Sequence, residues 1–430
     1  MSDIKNIPVG RLQRLARLAR VGTRTGASLL FSRGDGSGAA QQAANVLGSM
    51  RGLAAKLGQM ASYVDGFVPA AQQEAFEQAL QALRSAAPQS PPEAVRKVLE
   101  EDLGRPVSEL FARFDEVPFA SASIGQVHRA ALHTGEEVAV KIQHPGVEEA
   151  IENDLKNAGM VKQLASTLAT DDFNADILFK EVAARFREEL DYRLEARRQQ
   201  RFSELAKDEP RVIIPRVFFD LSGRRVLTSE FATGATLEEA TRKRESTRKA
   251  YAEVLWYFAF KSILIDGVFN ADPHPGNYLF QDDGRVTFLD FGCVQELSPD
   301  VLAYSRAAHL AALRHDESDF ACAVVQLGNT DGGAYEEAFQ RYLHKCLEPV
   351  FRSPFRITRA FVTDLVQEIF ELKKLALSRR SRMVAVPEST VLLNRLQFGF
   401  MSVVARLDVE VDYASIERSF FEAAGVLHAS

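Results

Sequence analysis

The chain is poor in the residues that would staple or anchor it. Its three cysteines, Cys293, Cys322 and Cys346, lie far apart and form no Cys-x-x-Cys pair. That pattern excludes a disulfide framework and a cysteine-built zinc site. Cys293 directly follows an Asp-Phe-Gly tripeptide, and reads either as part of a nucleotide pocket or as a small buried hydrophobe. Nowhere does the sequence offer about 18 apolar residues without a charge, the length a membrane-spanning helix requires. The best candidate, Tyr251 to Phe269, is interrupted by Glu253, Lys261 and Asp266 and reads as a buried helix. The N-terminus lacks the continuous apolar core of a secretory signal. A cytoplasmic protein is expected, peripheral on the inner membrane surface at most.

What is present is ordinary globular material. Hydrophobic residues make up 46% and charged residues 26% of a chain of 430, enough for two lobes with a substantial core. Twenty-nine phenylalanines against one tryptophan point to large buried helical interfaces. The net charge of −6 is unevenly distributed, because the first sixty residues hold nine Lys or Arg against two Asp. This basic part is short and has no interleaved aromatics, so nucleic acid is not an expected partner.

Arg11, Arg14, Arg17 and Arg20 alternate with Leu12, Leu15, Leu18 and Val21, a basic amphipathic helix. It could lie on an anionic bilayer, or pack its leucines on the body and solvate its arginines. Gly34-Asp35-Gly36-Ser37-Gly38 then reads as a flexible linker, giving a first segment of 1–38. Residues 39–90 are helical in pattern and contain Lys56-Leu57-Gly58-Gln59. Glycine costs a helix about 1 kcal/mol relative to alanine, so Gly58 suggests a close backbone approach or tight helix packing. Pro91-Pro92-Glu93 opens the next helix.

Between 112 and 143 the period becomes strand-like, with Gln126–Leu132 and Glu137–Gln143 as a hairpin around His133-Thr134-Gly135-Glu136. The second strand ends its alternation on Val138-Ala139-Val140-Lys141. A lysine there needs an anionic partner, or desolvation would cost several kcal/mol. Helical sequence follows from Pro145, bearing Glu181 and the acidic cluster Glu188-Glu189-Leu190-Asp191, then Glu195. Two strands, Val217–Leu221 and Val226–Glu230, precede a hinge-like Phe231-Ala232-Thr233-Gly234. This sets segments of 91–232 and 233–430. A helix over 251–266 comes next, then a hairpin of Asn277–Phe280 and Val286–Leu289. Beyond Pro299 the pattern is helical, with breaks at 328–333, 351–355 and near Pro387.

The chemistry concentrates in Asp272-Pro273-His274-Pro275-Gly276-Asn277 and Asp290-Phe291-Gly292. Phosphoryl transfer needs negative charge held and neutralised more than it needs covalent chemistry. Lys141 would reach the α- and β-phosphates of ATP, Asp290 the principal Mg²⁺ and Asn277 a second metal site. Asp272 would orient or deprotonate an acceptor hydroxyl or a water. His274 is either an extra base or a ring that pins the loop.

These motifs, in this order, resemble the UbiB/AarF family of atypical kinases over roughly residues 40–345. Lys56-Leu57-Gly58-Gln59 is similar to the family's Lys-x-Gly-Gln motif, and Glu189-Leu190-Asp191 to its Glu-x-Asp motif. Ala120-Ser121-Ala122-Ser123-Ile124-Gly125-Gln126 is similar to its alanine-rich loop, with Ser121 in place of the usual second alanine. The resemblance implies an α+β, two-lobed protein-kinase-like fold: a small antiparallel sheet in the N-lobe, a mainly helical C-lobe and a helical N-terminal extension. It implies ATP held by Ala120, Ser121, Ala122, Ser123, Ile124 and Lys141 and, toward the hinge, by Glu230 and Ala232. Glu189 is the first choice to pair with Lys141, ahead of Glu181 and Glu188. Lys56, Gln59 and Asp191 take regulatory roles in closing the site. The implied activity is Mg-ATP hydrolysis in support of ubiquinone biosynthesis or isoprenoid-lipid handling, with a lipid or quinone precursor, or an anionic membrane surface, as partner. The alternatives are a protein or small-molecule kinase and a nucleotide-gated lipid-binding scaffold.

Overall fold

The structure, a computed structural model, describes residues 90–122, 124–156, 184, 187–376 and 399–427. The basic segment, the extension with Lys56 and Gln59, Ser123 and Glu181 lie outside the described residues. The chain divides into two compact units. One takes the described residues up to Ala196 together with Val217–Phe231; the other takes Arg197–Arg216 and the chain from Ala232 onward.

In the first unit, α1 (Pro92–Leu103) starts on a proline at its first turn, where no hydrogen bond is lost, and stops at Gly104 with φ 69°. After the one-turn α2 (Val107–Leu110) come β1 (Arg113–Phe114), β2 (Ala120–Ser121), β3 (Gly125–Ala131) and β4 (Glu137–Gln143). Two helices follow, α3 (Val147–Lys156) and α4 (Tyr192–Leu205); from Arg197 the chain runs through the second unit, including β5 (Val212–Ile213), and β6 (Val226–Glu230) belongs to the first unit again. The sheet order is β1-β3-β4-β6, all antiparallel, with β2 also on β3. Strand periodicity puts Val138, Val140 and Ile142 on one face of β4, fully buried in one cluster with Val95, Val98 and Leu99 of α1. Lys141, one residue out of phase, points to the other face. The helix is further tied down by Asp102, whose carboxylate accepts the Arg225 N–H at 2.7 Å.

Val217–Leu221, expected as a strand, makes one bridge from Val217 to Ser229 and then coils into a 3₁₀ turn over Phe219–Leu221. Ser222 diverts the backbone: its hydroxyl donates to the Phe218 carbonyl at 2.8 Å and accepts the Thr228 N–H at 3.0 Å.

The second unit is built on α6 (Glu245–Leu264), which follows the short α5 (Leu237–Ala240). Tyr251, Leu255, Trp256 and Ile263 are among the residues that bury α6 nearly all round. Downstream lie β7 (Val268–Asn270), β8 (Tyr278–Phe280), β9 (Val286–Phe288) and β10 (Val294–Glu296), then α7 (Pro299–Arg314), α8 (Glu317–Gly328), α9 (Ala334–Phe351), β11 (Phe355–Arg356) and α10 (Arg359–Ala376). A helical stretch over 399–407, β12 (Glu410–Val411) and α11 (Tyr413–Ala423) complete the described chain. Reading everything after Pro299 as helix with breaks misses the β11–β12 pair, and β7–β10 is likewise not visible in the pattern. The sole tryptophan sits at the centre. Its indole N–H donates to buried Glu417 at 3.2 Å, and the other Glu417 oxygen accepts from His309 Nδ1 at 2.8 Å. Among the described residues, no helix is long and apolar enough to cross a membrane. The architecture is α+β, with a small antiparallel sheet in the N-terminal part and helices dominating the rest.

Leu99 is 0% exposed between α1 and the sheet. Leu99→Ala is expected to destabilise the protein by about 2–5 kcal/mol through lost transfer energy and a residual cavity. Urea unfolding followed by circular dichroism measures it, and a midpoint like that of the unaltered chain would contradict this packing.

Candidate functional site

On the free face of β4, Lys141 Nζ lies 2.6 Å from Glu195 Oε1, with the two side chains 18% and 7% exposed. The ammonium also stands 5.0 Å from the centre of the Tyr192 ring. Tyr192 and Glu195 are three apart, one turn of α4, so a single helix face supplies both contacts. This corrects the choice of Glu189 as the partner of Lys141. Glu188 and Glu189 end a preceding helical turn, Leu190 breaks it, and α4 begins at Tyr192. Asp191 starts the new helix by accepting the Arg193 N–H at 3.0 Å, the side-chain capping bond of an N-terminus. The acidic cluster is therefore two elements with a corner between them. The signal that could have found Glu195 is that Tyr-x-x-Glu spacing after a capping aspartate.

The alanine-rich loop folds back on itself, with Ala122 N–H donating to the Gly125 carbonyl at 2.9 Å and the His144 N–H to that of Ile124 at 2.9 Å. Ala120 and Ser121 are exposed, whereas Ile124 is buried. A Cβ at Gly125 would stand 2.3 Å from the Ile142 carbonyl oxygen and 2.9 Å from the Tyr192 hydroxyl, so only glycine fits. The tyrosine beside Lys141 thus also lies under the loop. Glu230, last in β6, is exposed; Ala232 opens the second unit half-buried.

The second unit carries the acidic residues. β7 and β10 run antiparallel with Asn270 opposite Val294, which places the chain leaving one beside the chain entering the other. Asn270 uses both ends of its amide. Its Nδ2 donates to the Asp290 carbonyl, and its Oδ1 accepts the Asp272 N–H at 3.1 Å. Asn277 Nδ2 donates to the Asp272 carbonyl at 3.0 Å, and Asp290 Oδ1 accepts the Gly292 N–H at 2.8 Å. Asp272, Asn277 and Asp290 are thereby brought into one bonded group around an asparagine that sequence reasoning gave no role. His274 Nδ1 accepts the Gly276 N–H at 3.0 Å and caps the turn Pro275–Asn277, a pinning contact. The Asp-Phe-Gly stretch is held from behind: Phe291 is fully buried with its ring 5.1 Å from Phe202, and Arg198 donates to the Gly292 carbonyl at 2.9 Å. Cys293 packs half-buried against the core, and its carbonyl accepts the Ala271 N–H at 2.8 Å. Burial and the nearby charge of Asp272 push the Tyr278 phenol above its ordinary pKa, so it stays a neutral wall of the site.

A carboxylate at Asp290 and a carboxamide oxygen at Asn277 are hard oxygen donors, the set that suits Mg²⁺ with phosphate and water completing its shell. Because the Asn277 nitrogen is committed to Asp272, its oxygen is the donor left to a metal.

The family profile described as the ABC1 atypical kinase-like domain matches residues 82–323. The mitochondrial atypical kinase COQ8 of Saccharomyces cerevisiae is 29% identical over 387 residues, covering 88% of this chain and 75% of that protein. A probable protein kinase UbiB of Marinobacter nauticus is 30% identical over 385 residues, covering 85% of this chain and 66% of that protein. Several other relatives are longer, and the chain spans less than two thirds of their length. Among solved structures, the complex of Rv3197 with erythromycin from Mycobacterium tuberculosis superimposes with a TM-score of 0.62 at 25% identity, over 96% of this chain and 98% of that one.

Two substitutions separate the candidate partners of Lys141. Glu195→Gln is expected to weaken ATP binding about tenfold or more, since an unpaired buried ammonium no longer holds its position. Glu189→Gln should change it by less than about threefold, on the same electrostatic grounds. Isothermal titration decides, and the reverse order would restore Glu189. Asn270→Ala should lower turnover about a hundredfold by letting Asp272 and Asp290 drift. Steady-state kinetics within a few-fold of the unaltered enzyme would show that the amide is dispensable.

Proposed function

The chain belongs to the UbiB/AarF family of ABC1 atypical kinases, and from that premise we propose that it binds and hydrolyses Mg-ATP, supporting ubiquinone biosynthesis or isoprenoid-lipid handling. The observation that carries this reading is the Asn270 amide, which ties the backbones of Asp272 and Asp290 to one group. Such a bond has a reason in phosphoryl transfer, where the aspartate near the nucleophile and the aspartate near the metal must keep one geometry. The Lys141–Glu195 pair supports it from the first unit, presenting an oriented ammonium to phosphate.

In this reading Lys141 would bind phosphate oxygens, Asp290 and Asn277 would hold Mg²⁺, whose charge would offset that of the phosphoryl group, and Asp272 would orient the attacking hydroxyl or water. Ser121, exposed at the rim of the loop, adds a hydroxyl where a second alanine is usual. The basic stretch 10–21 is the proposed contact with an anionic lipid surface, which would tie turnover to a membrane-borne lipid or quinone precursor.

Asp290→Asn is expected to abolish Mg²⁺-dependent ATP hydrolysis, by about a hundredfold or more for loss of a charged metal ligand. A phosphate-release assay measures it, and hydrolysis equal to that of the unaltered chain would overturn the reading. Vesicles containing an anionic phospholipid should stimulate the full chain and leave a chain without residues 1–35 unaffected. If both respond equally, the basic segment is not the lipid contact.

A further inference from the structure

Behind the alanine-rich loop lies a buried polar chain that none of the phosphate or metal roles uses. Ser90, Gln126, His128 and His144 are 7%, 2%, 0% and 6% exposed. The His128 ring stacks on Phe114, with centres 4.9 Å apart. His128 Nδ1 is 2.8 Å from the Asp115 carbonyl oxygen, and its Nε2 is 2.8 Å from Gln126 Nε2. Gln126 Oε1 accepts the Ser90 N–H at 2.9 Å, and the Ser90 hydroxyl lies 2.8 Å from His144 Nδ1.

Donor and acceptor roles propagate along this chain without a choice. A carbonyl oxygen only accepts, so His128 Nδ1 carries the hydrogen. In a neutral ring Nε2 then accepts, and the Gln126 amide nitrogen must donate to it. That orientation leaves the Gln126 oxygen facing the Ser90 N–H, which needs an acceptor. Protonated His128 would set an N–H against the amide nitrogen. Rotating the amide would cure that contact and place two donors together at Ser90. The ring is therefore held neutral. Burial lowers its pKa below the usual 6.5, opposed first by the bond to the Asp115 carbonyl and then by the Asp115 carboxylate, and its register partner on β4 is the apolar Val140.

The chain ends on both flanks of the phosphate loop's base. Gln126 directly follows Gly125, and His144, bonded to Ser90 through its ring, donates its backbone N–H to Ile124. We propose that Gln126 and His128 are positioning residues of the nucleotide site: the neutral His128 ring fixes the Gln126 amide, and through Ser90 and His144 that amide holds the base of the alanine-rich loop in its phosphate-binding shape. The proposal rests on the nucleotide reading of the site.

Gln126→Glu is the discriminating change, because a carboxylate still accepts from Ser90 but cannot donate to neutral His128; it is satisfied only by the protonated ring. In the unaltered full chain, nitrogen-detected NMR of the histidines should show His128 as the neutral Nδ1–H form at pH 7, staying neutral below its ordinary value of about 6.5. Gln126→Glu should protonate it at pH 7 and raise the KM for ATP about fivefold or more, with kcat within about twofold, as expected for a binding loop displaced without touching the reacting groups. The linked stability is complete above about pH 6.5 and is lost as pH falls from there through the lowered value of the folded state; Gln126→Glu removes that loss. Where Gln126→Glu does not fold, Ser90→Ala decides: it cuts only the hydroxyl link to His144 and should raise KM about threefold at constant kcat. A neutral His128 in Gln126→Glu, or an unchanged KM in the folded variant, overturns the proposal. An unaltered chain that binds no ATP, yet shows the predicted histidine states, fails the nucleotide reading instead and leaves the proton network standing.

Discussion

An ammonium on a strand whose opposite face is packed dry has to be met by an anion, and Glu195 meets it at 2.6 Å. Much of the first unit follows from this requirement. Val138, Val140 and Ile142 bind β4 to α1, so the phase of the strand cannot slip without burying Lys141 in the apolar cluster. The corner at Leu190–Asp191 sets where α4 begins, and that start sets which carboxylate arrives over the lysine. Tyr192, on the same face, then closes against the glycine of the loop. One charge pair thus coordinates a strand, a helix and a turn.

The second unit solves a different problem with a neutral group. Aspartates that serve one reaction repel each other, and holding them by their own side chains would consume the oxygens the reaction needs. Asn270 holds them by their backbones, while one Asp290 oxygen is taken by the Gly292 N–H. Arg198 and the buried Phe291 brace the far side of the Asp-Phe-Gly turn.

Legibility in the sequence followed how local each feature is. The strand Glu137–Gln143 has the predicted bounds, since alternation and a Thr-Gly turn determine it from within. The Asp272–Asn277 stretch and Asp290 stood out as candidates by their order and spacing together with Lys141 upstream, and hydrogen bonds through Asn270 link Asp272 and Asp290. Glu195 was not, because its direction depends on a helix restart that only the Asp191 cap reveals. Val217–Leu221 has strand composition and was diverted by one serine hydroxyl. The β11–β12 pair joins segments more than fifty residues apart, a contact with no trace in local periodicity. Gln126 and His128 read as ordinary strand residues until their partners were in view.

Trp256 gives the molecule a built-in optical asymmetry. The chain's single indole is buried in the second unit, donating to Glu417 and stacked 4.1 Å from the Phe260 ring. Intrinsic emission excited at the red edge of protein absorption therefore comes from one unit alone, while the sheet that carries Lys141 is dark. A tryptophan placed in that sheet would make the two units separately visible, turning a question about their independence into a comparison of two spectra.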